Sequence, residues 1–567
     1  MATNSLRYST RFLSPCSRNV QHVVSRSLTS AEFMRQPSNE PILDYRPNSK
    51  ERQELDAALS KYTTNVTHVP LMIGDEQVEG TEKRNQVMPF DHAKTLATYS
   101  WASRDQMKRA IDVAVTARND WNQRTMQERA DVLLRAADLC AGKYRADLNA
   151  STMLGQGKTV IQAEIDAACE LIDFLRFNAH AALQLLEWDP ISTKESTNKM
   201  IYRALEGFVA SVSPFNFTAI GGNLASCPAL LGNGVVWKPS DTAVLSNYVI
   251  YNILREAGLP AGVLNFVPAD GPVFGQTVTR DRRLAAVNFT GSVPTFRWLW
   301  KAVAQNLDTY DSFPRLVGEC GGKNFHFVHK SADLDSVAPA TIRGSFEYQG
   351  QKCSASSRMF VPKSVWPELK GKLTKLCSEI TMGSPLDAKN FMSAVIDDKA
   401  FARIKSYIEH AKSAPHCTVV TGGKCDDSKG YFVEPTIIET TDQNDKLMKE
   451  EIFGPVLTVY PYEDADCDKI LGGLKNATPF GLTGAVFAQD KDFLYKARDK
   501  LIDAVGNLYL NDKSTGSVVG QQPFGGARLS GTNDKAGAPH YVLKWTSPQT
   551  IKETHVPLYT WKYPHME

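Results

Sequence analysis

The sequence predicts an α/β protein with a doubly wound parallel sheet, a second α/β domain and a small β extension. Three observations lead to this prediction. The chain has 567 residues, well above the roughly 250 to 300 at which a single hydrophobic core stops growing. Strand-like and helix-like segments alternate between residues 207 and 268, which is typical of a parallel sheet covered by helices. The last 30 or so positions include strand-like residues without an obvious partner.

The segment after residue 207 supplies the predicted parallel sheet. Short apolar runs bounded by turn residues indicate buried strands at Phe208–Val212, Val235–Lys238 and Val263–Val267. Between them we expect a helix from Ala243 to Ala257, capped by Asp241 or Thr242 and ended by Gly258. Ligands of such sheets bind beyond the carboxyl ends of the strands.

The remaining segments predict packing helices and turns. Apolar residues at helical spacing indicate two helices between residues 105 and 143 and another from Ala163 to Leu185. In the second half we expect helices at Ala400–Lys412 and Asp492–Leu501. Three glycine pairs are expected to mark turns, at residues 422–423, 472–473 and 525–526.

A turn at residues 289–292, FTGS, follows the apolar run 284–287 and precedes a helix-like segment from Val293 to Leu307. A helix that begins there offers free N–H donors and the positive end of its dipole, which suits a pyrophosphate. Ser292 as an ordinary helix cap explains the same residues equally well.

The most unusual segment is residues 346–355, FEYQGQKCSA, where Cys353 lies among small and polar residues with Lys352 beside it. A nucleophilic cysteine reacts as the thiolate and needs positive charge or donors nearby. A small buried structural cysteine is the alternative.

A second unusual segment precedes Cys353 by 34 residues, where the strand-like run 316–318 ends in Glu319 and two glycines follow at 321 and 322. A carboxylate at a strand end with open backbone around it suits a general base. A surface turn is the alternative explanation for Glu319 alone.

Five separated motifs in this order resemble the aldehyde dehydrogenase superfamily: SPFNF at 213–217, FTGS at 289–292, LVGECGGKN at 316–324, QGQKCSA at 349–355 and EEIFGP at 450–455. The resemblance runs from about residue 60 to the C-terminus. The segments 318–326, 349–355, 511–517 and 520–526 are most similar to the branch that oxidises glutamate γ-semialdehyde.

The resemblance implies a catalytic set of three residues. Cys353 would attack the aldehyde, the Asn216 amide would hold the oxyanion and Glu319 would activate water. The product would be L-glutamate, formed from the open form of 1-pyrroline-5-carboxylate in the second step of proline catabolism.

The resemblance also implies NAD as cofactor and assigns residues to it. Gly291 and Ser292 would meet the pyrophosphate, Lys238 the adenine ribose and Glu451 the nicotinamide ribose, with Phe453 against the nicotinamide. Asp241 would sit near the ribose 2′ position, where a carboxylate repels a 2′-phosphate. The expected cofactor is therefore NAD rather than NADP.

Substrate specificity would come from five further residues by the same resemblance. Gly516, Ser517 and the Ser354 hydroxyl would bind the substrate carboxylate, and Phe217 and Phe524 would flank its aliphatic part. Without the resemblance, residues 515–517 would be taken for an ordinary loop.

Other functions compatible with the sequence are oxidation of another semialdehyde, such as succinate or methylmalonate semialdehyde, and transfer of the acyl group to coenzyme A. Glu319 argues against the acyl transfer, because its role would be to activate water for hydrolysis. A catalytically silent homologue is opposed by the joint presence of Asn216, Glu319, Cys353 and Glu451. A cysteine hydrolase is a weaker alternative, because no motif in this sequence places a histidine near Cys353.

Composition limits the partners and the location of the chain. A net charge of +2 gives no reason to expect nucleic-acid binding, and no apolar run approaches the roughly 18 residues that would span a membrane. The 10 cysteines lack a CxxC pair and the 11 histidines lack HExxH, so we expect no metal.

Residues 1–31 carry four arginines, many serines and no acidic residue, as in a mitochondrial transit peptide. A merely disordered tail is the alternative. The expected location is the mitochondrial matrix.

We expect the following domain organisation after a transit peptide at 1–31. Residues 32–186 and 206–319 form the NAD-binding domain, and residues 320–536 form the catalytic domain. Residues 187–205 and 537–567 form an oligomerisation flap, by resemblance, and the expected assembly is a homodimer. The alternative for the C-terminal strand is an edge strand on its own sheet.

Overall fold

A computed structural model describes residues 36–567, and the predicted transit peptide lies outside these residues. Two seven-stranded sheets, each covered by helices, form the main part of the described chain. This is the α/β architecture that the strand and helix alternation predicts.

The first sheet contains five parallel strands and two antiparallel strands at one edge. In spatial order its strands are Arg315–Glu319, Leu284–Thr290, Phe208–Val212, Gly234–Lys238, Leu264–Phe266, Leu71–Ile73 and Glu76–Val78. Of the five parallel strands, Phe208–Val212 comes first in the chain yet lies in the middle. The strand order therefore reverses beside it, and this reversal is the switch point at which doubly wound sheets bind dinucleotides.

The second sheet is also parallel, except for one antiparallel edge strand. In spatial order its strands are Cys417–Thr421, Thr436–Thr440, Val456–Tyr462, Ser356–Pro362, Asn324–Val328, Thr483–Phe487 and Asn507–Leu510. The segment between the strands Arg315–Glu319 and Asn324–Val328 joins the two sheets, so Glu319 lies at the crossing point.

Helices cover both sheets, and many begin at a side chain that accepts a backbone N–H. Ser103 and Thr125 form complete capping boxes with Gln106 and Glu128. The α-helices of the first half are Lys50–Thr64, Arg104–Gln123, Met126–Ala141, Arg145–Gln156, Val160–Ala163, Glu170–Gln184, Thr218–Leu230, Val244–Glu256, Gly271–Arg280 and Val293–Gln305. Those of the second half are Leu334–Phe346, Trp366–Glu379, Asp398–Ser413, Lys446–Lys449, Cys467–Gly473 and Lys491–Lys500. A π-helical turn, Glu164–Cys169, interrupts the predicted helix from Ala163 to Leu185.

Smaller sheets complete the fold. A three-stranded sheet contains Thr67–Val69, Asp91–Trp101 and Glu82–Met88. Two short pairs join Cys425–Asp426 to Phe432–Val433 and Phe480–Gly481 to Ala527–Arg528. A long antiparallel pair joins Ser196–Ala204 to Thr546–Thr554 in a continuous register. At its base, Trp545 is fully buried in the core.

Three local predictions are wrong. Neither Asp241 nor Thr242 caps the helix Val244–Glu256, because both lie in a 3₁₀ turn that precedes it. The pair Gly472 and Gly473 ends the helix Cys467–Gly473 rather than forming a turn. The segment Pro539–Trp545 is 3₁₀-helical, so the C-terminal strand begins only at Thr546.

Across residues 36–567, none of the helices is both long and apolar enough to cross a membrane.

Candidate active site

A cavity of about 970 Å³ opens at the carboxyl ends of the strands Phe208–Val212 and Leu284–Thr290. It lies at the switch point of the first sheet, where strand ends and helix N-termini converge. Seven of the predicted site residues line this cavity: Asn216, Lys238, Gly291, Ser292, Cys353, Glu451 and Phe453.

Cys353 follows a strained turn. Tyr348 and Gln349 have positive φ angles of 51° and 56°, and Gly350 continues with 64°. Non-glycine residues in this region cost free energy and persist only where surrounding contacts hold them. A side chain at Gly350 would overlap the Gly454 carbonyl, so the turn also requires that glycine.

The contacts that hold this turn come from the Gln349 side chain, whose role the sequence did not reveal. Its amide donates to the carbonyls of Gly157, at 3.1 Å, and Ala394, at 2.7 Å, and its oxygen accepts the Ser393 N–H at 3.0 Å. All three bonds are buried. The turn before the nucleophile is therefore fixed by residues remote in sequence.

The Cys353 thiol is only slightly accessible, with the residue 8% exposed. Burial raises its pKa well above the ordinary value, and the nearby carboxylates of Glu319 and Glu451 raise it further. The thiol is thus protonated at rest and needs a base before it can attack.

Lys352 does not supply the positive charge that its position beside Cys353 suggests. Its Nζ donates to Gln162 Oε1 at 2.5 Å and lies 3.5 Å from Asp166 and 3.6 Å from Glu347. The Lys352 ammonium is therefore paired within a buried ionic cluster.

Asn216 is buried beside the nucleophile turn, and its side-chain amide donates to the Gln351 carbonyl at 3.1 Å. An amide group has two N–H donors. The second can therefore serve an oxygen in the cavity, whose wall includes both Asn216 and Cys353.

Glu319 ends the strand Arg315–Glu319. Its Oε2 accepts the Gly526 N–H at 3.2 Å, whereas its buried Oε1 has no partner among the described residues. Burial raises the Glu319 pKa to about 8, and the hydrogen bond from Gly526 only partly opposes this. A carboxyl group with this pKa and a free oxygen can exchange protons near neutral pH.

Lys238 ends the strand Gly234–Lys238 and is buried at the cavity wall, where its Nζ donates to the Pro239 carbonyl at 3.1 Å. Burial lowers its pKa, which Asp241 and Asp270 partly restore. The Asp241 carboxylate accepts the Trp101 indole N–H at 3.1 Å, and Asp241 is not part of the cavity lining.

Two helix N-termini face the cavity. Ser292 caps the helix Val293–Gln305, as predicted, by accepting the Thr295 N–H at 3.4 Å. Gly271 and Pro272, at the start of the helix Gly271–Arg280, line the same cavity. The cap of each helix accepts one N–H of the first turn, since Asp270 accepts the Val273 N–H at 3.0 Å, and each first turn also contains a proline without an N–H. The first N–H of each helix, at Val293 and Gly271, remains as a donor toward a phosphate oxygen.

Glu451 and Phe453 line the cavity from the segment that leads into the second-sheet strand Val456–Tyr462. Glu451 Oε1 accepts the Gly322 N–H at 2.9 Å, and burial raises the Glu451 pKa to about 7. A side chain at Gly321 would overlap this carboxylate. Phe453 has a positive φ of 55° and packs edge-on against Phe215 with ring centroids 5.9 Å apart.

The predicted substrate residues lie outside the large cavity. The Ser354 hydroxyl is within 2.7 Å of the Thr515 hydroxyl, which connects the nucleophile segment to the loop of Gly516 and Ser517. Gly516 has a positive φ of 89°, and a Cβ there would lie 3.3 Å from the Lys513 Nζ. The sequence did not single out Lys513, although the ammonium group of Lys513 places a positive charge beside this loop.

Phe217 and Phe524 occupy two different environments. Phe217 is buried under the Lys158 Nζ, which lies 4.2 Å from its ring centroid, while Lys158 pairs with Asp166 at 2.5 Å. Phe524 is half-buried, and its N–H donates to the Ala536 carbonyl at 3.0 Å. The structure thus connects Phe217 to the ionic cluster that contains Lys352.

Similar proteins share this fold and much of this sequence. A protein of Danio rerio called mitochondrial delta-1-pyrroline-5-carboxylate dehydrogenase is 58% identical over 93% of this chain and 95% of its own length. The Homo sapiens protein of the same name is 57% identical over 94% of each chain. A crystal structure of the delta-pyrroline-5-carboxylate dehydrogenase from Mycobacterium tuberculosis bound with NAD is 47% identical, with a TM-score of 0.90 over 94% of this chain and 98% of that one.

A family model described as the aldehyde dehydrogenase family matches residues 77–551. This match includes every parallel strand of the two large sheets and every residue of the predicted catalytic set. The chain belongs to the aldehyde dehydrogenase family.

Proposed function

We propose that this protein oxidises L-glutamate γ-semialdehyde, the open form of 1-pyrroline-5-carboxylate, to L-glutamate with NAD as acceptor. This is the second step of proline catabolism. The names of relatives that match along nearly the whole chain support the substrate. The observation that carries the proposal is that Cys353 lies in the wall of a dinucleotide-sized cavity. The Glu319 carboxylate is close enough to influence the Cys353 thiol and has a buried oxygen without a partner among residues 36–567.

Catalysis begins when the Cys353 thiol loses its proton to a base, for which Glu319 has a suitable pKa of about 8. The thiolate attacks the aldehyde carbon and forms a thiohemiacetal. The second N–H of Asn216 and the Cys353 backbone N–H hold its oxyanion, and such donors contribute about 3 kcal/mol each.

The residues around the cavity fit a nicotinamide dinucleotide. The helix N-termini at Ser292 and Gly271 would hold its phosphates, Lys238 and Glu451 its two riboses, and Phe453 would lie against the nicotinamide. When bound, NAD accepts the hydride that leaves the thiohemiacetal carbon, and a thioester remains on Cys353.

After the proton taken from Cys353 has passed to solvent, Glu319 acts as general base in hydrolysis of the thioester. Its Oε1, which none of the described residues contacts with a hydrogen bond, can accept a proton from water, while the Gly526 N–H keeps the carboxyl group oriented. Hydrolysis releases L-glutamate and regenerates the thiol.

Specificity for the semialdehyde comes from the loop that carries Gly516 and Ser517. The backbone N–H groups of this loop and the Ser354 hydroxyl bind the substrate carboxylate, and Phe217 and Phe524 flank the aliphatic part. The neighbouring Lys513 ammonium adds an attractive charge for a carboxylate.

The proposed cofactor is NAD rather than NADP. The Asp241 carboxylate accepts the Trp101 indole N–H. It would therefore repel a 2′-phosphate near Lys238 through its negative charge rather than by direct contact. A kcat/KM that is equal for the two cofactors would contradict this proposal.

The protein is proposed to work in the mitochondrial matrix as a homodimer. The composition of residues 1–31 and the mitochondrial designation of the relatives support the location. N-terminal sequencing of organelle-purified protein tests it, because a chain that still begins at Met1 or Ala2 would contradict cleavage.

The deciding experiment measures NADH formation from 1-pyrroline-5-carboxylate by the wild type and by Cys353→Ala. We expect activity in the wild type and none in the variant, with NAD binding retained in both. A parallel assay with succinate and methylmalonate semialdehydes tests the substrate. Higher kcat/KM for either of these than for glutamate semialdehyde would overturn the proposal.

A further inference from the structure

Three residues that take no part in the proposed reaction converge at one place on the second domain. The Nε2 atoms of His410 and His416 lie 2.8 Å and 2.7 Å from the same oxygen, Oδ2 of Asp445. All three potential ligand atoms lie within 4.8 Å of one another. Two imidazole nitrogens and a carboxylate oxygen are a typical ligand set for zinc and similar ions.

The carboxylate of this cluster is held in a fixed orientation. Asp445 caps the helix Lys446–Lys449, with its Oδ1 accepting the Leu447 N–H at 2.7 Å. Its side chain is only 4% exposed. Because Oδ1 is occupied by the backbone, Oδ2 is left to face the two histidines, as expected for a metal ligand that is oriented by a second hydrogen bond.

The two histidines come from ordered elements on either side of Asp445. His410 lies in the last turn of the helix Asp398–Ser413. His416 directly precedes the strand Cys417–Thr421, and its carbonyl accepts the Thr441 N–H at 3.0 Å. Their side chains are 28% and 32% exposed, so an ion and a water ligand can reach the nitrogens from solvent.

We propose that His410, His416 and Asp445 form a binding site for a divalent transition-metal ion of the zinc class. Ligand bonds of about 2.0–2.1 Å in a tetrahedral site place ligand atoms about 3.3 Å apart. Each histidine nitrogen therefore needs to move about half an ångström away from Oδ2, and the two nitrogens, which lie within 4.8 Å of each other, need to be about 3.3 Å apart, as the ion replaces the shared protons. The cluster provides three ligands, and water supplies the fourth.

The position of the site gives it a structural role. It joins the end of the helix Asp398–Ser413 to the short helix that leads directly into Glu451. The same long helix already contacts this segment, because Tyr407 donates to Glu450 at 2.6 Å and Arg403 donates to the Ile452 carbonyl at 3.2 Å. The His410–Asp445 hydrogen bond is a third connection, and a bound ion would strengthen it and stabilise the folded state.

The sequence contains no motif for this site, because 35 residues separate His410 from Asp445. The three ligands become neighbours only when the antiparallel pair of Cys417–Thr421 and Thr436–Thr440 brings the two ends of this segment together.

The test is zinc binding by the full chain after removal of metal with a chelator. Isothermal titration calorimetry with Zn²⁺ is compared for the wild type, His416→Ala, Asp445→Asn and the control His68→Ala. His68 is a suitable control because it also pairs with a carboxylate, Glu79 at 2.6 Å. His416→Ala keeps the Asp445 cap intact, so it remains informative if Asp445→Asn folds poorly.

We expect the wild type and His68→Ala to bind one more zinc ion per chain than His416→Ala. At a zinc concentration about a hundredfold above Kd, Tm should rise by about 2–4 °C more in the wild type than in His416→Ala. Equal stoichiometry and equal Tm shifts in the wild type and His416→Ala would overturn the proposal. An equal loss of binding in His68→Ala would overturn it too.

Discussion

The carboxyl group of Glu319 has an environment that favours its protonated form. It is buried, it accepts one hydrogen bond, from Gly526, and its other oxygen has no partner in the part of the chain that the structure describes. Burial raises its pKa to about 8 from the ordinary 4.5. The fraction of deprotonated base therefore increases across the physiological pH range, and the rate of thioester hydrolysis should follow it.

Replacing Glu319 by Gln removes the base while keeping the shape of the side chain. We expect kcat to fall by about 10²- to 10⁴-fold, with NAD affinity unchanged. The wild-type kcat should rise with pH to a plateau, with an apparent pKa near 8, and the variant should lose this rise. A variant that keeps the same pH profile would show that another group is the base.

The same raised pKa affects stability in a defined direction. Because the folded state holds the Glu319 proton more tightly than the unfolded chain, the wild type loses stability as pH rises from about 4.5 to about 8. Glu319→Gln has no such penalty. We expect its Tm advantage over the wild type to be small at pH 5 and largest above pH 8. Thermal unfolding monitored across this pH range checks the prediction, and a constant difference would contradict it.

Lys513 offers a test of the proposed carboxylate site. Its Nζ lies beside the Gly516 loop, so Lys513→Met should weaken binding of a charged substrate but not of a neutral one. Loss of a charge-assisted contact costs about 1.5–3 kcal/mol, which corresponds to a KM for glutamate semialdehyde raised about 10- to 100-fold. The KM for propanal should not change. Lys389→Met, at an exposed lysine far from this loop in sequence, serves as the control.

At the scale of single elements, the turn of residues 348–350 is the part of the site that depends most on remote contacts. Gln349 connects it to the loops of Gly157 and Ala394 through buried hydrogen bonds. These bonds compensate for two left-handed non-glycine residues directly before the nucleophile.

Gln349→Ala should therefore both destabilise the fold and misplace Cys353. We expect a loss of about 2–4 kcal/mol in the free energy of unfolding, because buried carbonyls lose their donor. The kcat should fall at least about 10-fold, since small displacements of a nucleophile are costly. Chemical denaturation and steady-state kinetics measure the two effects. Gln489→Ala, at an exposed glutamine, should change neither quantity.

Local sequence patterns located the parallel strands of the first sheet and several helices, but none of the strands of the second sheet and few of the contacts between elements. The strands at 208–212 and 315–319 and the Ser292 cap follow from short-range signals, namely apolar runs and capping residues. The contacts of Asp241 with Trp101 and of Lys352 with Gln162 could not be predicted, because these partners lie far away in sequence. The same limit of local patterns applies to Gly472 and Gly473, which were predicted to form a turn. They lie in a helix whose Ile470 and Leu471 are buried, and the glycine pair itself does not reveal this burial.

At the scale of the whole molecule, the paired strands Ser196–Ala204 and Thr546–Thr554 form a flap with unusual exposed apolar side chains. Ile201 and Ile551 are 45% and 41% exposed. Ile201 pairs with Gln549 and Lys199 pairs with Ile551, so the two isoleucines are diagonal neighbours on one face. The tail beyond them adds six more large exposed hydrophobic residues: Val556, Leu558, Tyr559, Trp561, Tyr563 and Met566. A face of this kind is typical of a subunit interface.

The proposed homodimer can therefore be tested with Ile201→Asp combined with Ile551→Asp. In a two-fold symmetric interface each substituted side chain occurs twice, and burial of one isoleucine contributes about 1.5–3 kcal/mol. The double variant should lose about 6–12 kcal/mol of association free energy, which raises the dimer Kd by at least about 10⁴-fold. Light scattering should then show a monomer, while the Tm increase on adding NAD is retained because the cavity lies within one chain. Leu386→Asp, at an exposed leucine outside the flap, should leave the dimer intact. A double variant that remains dimeric would show that the subunits associate through another surface.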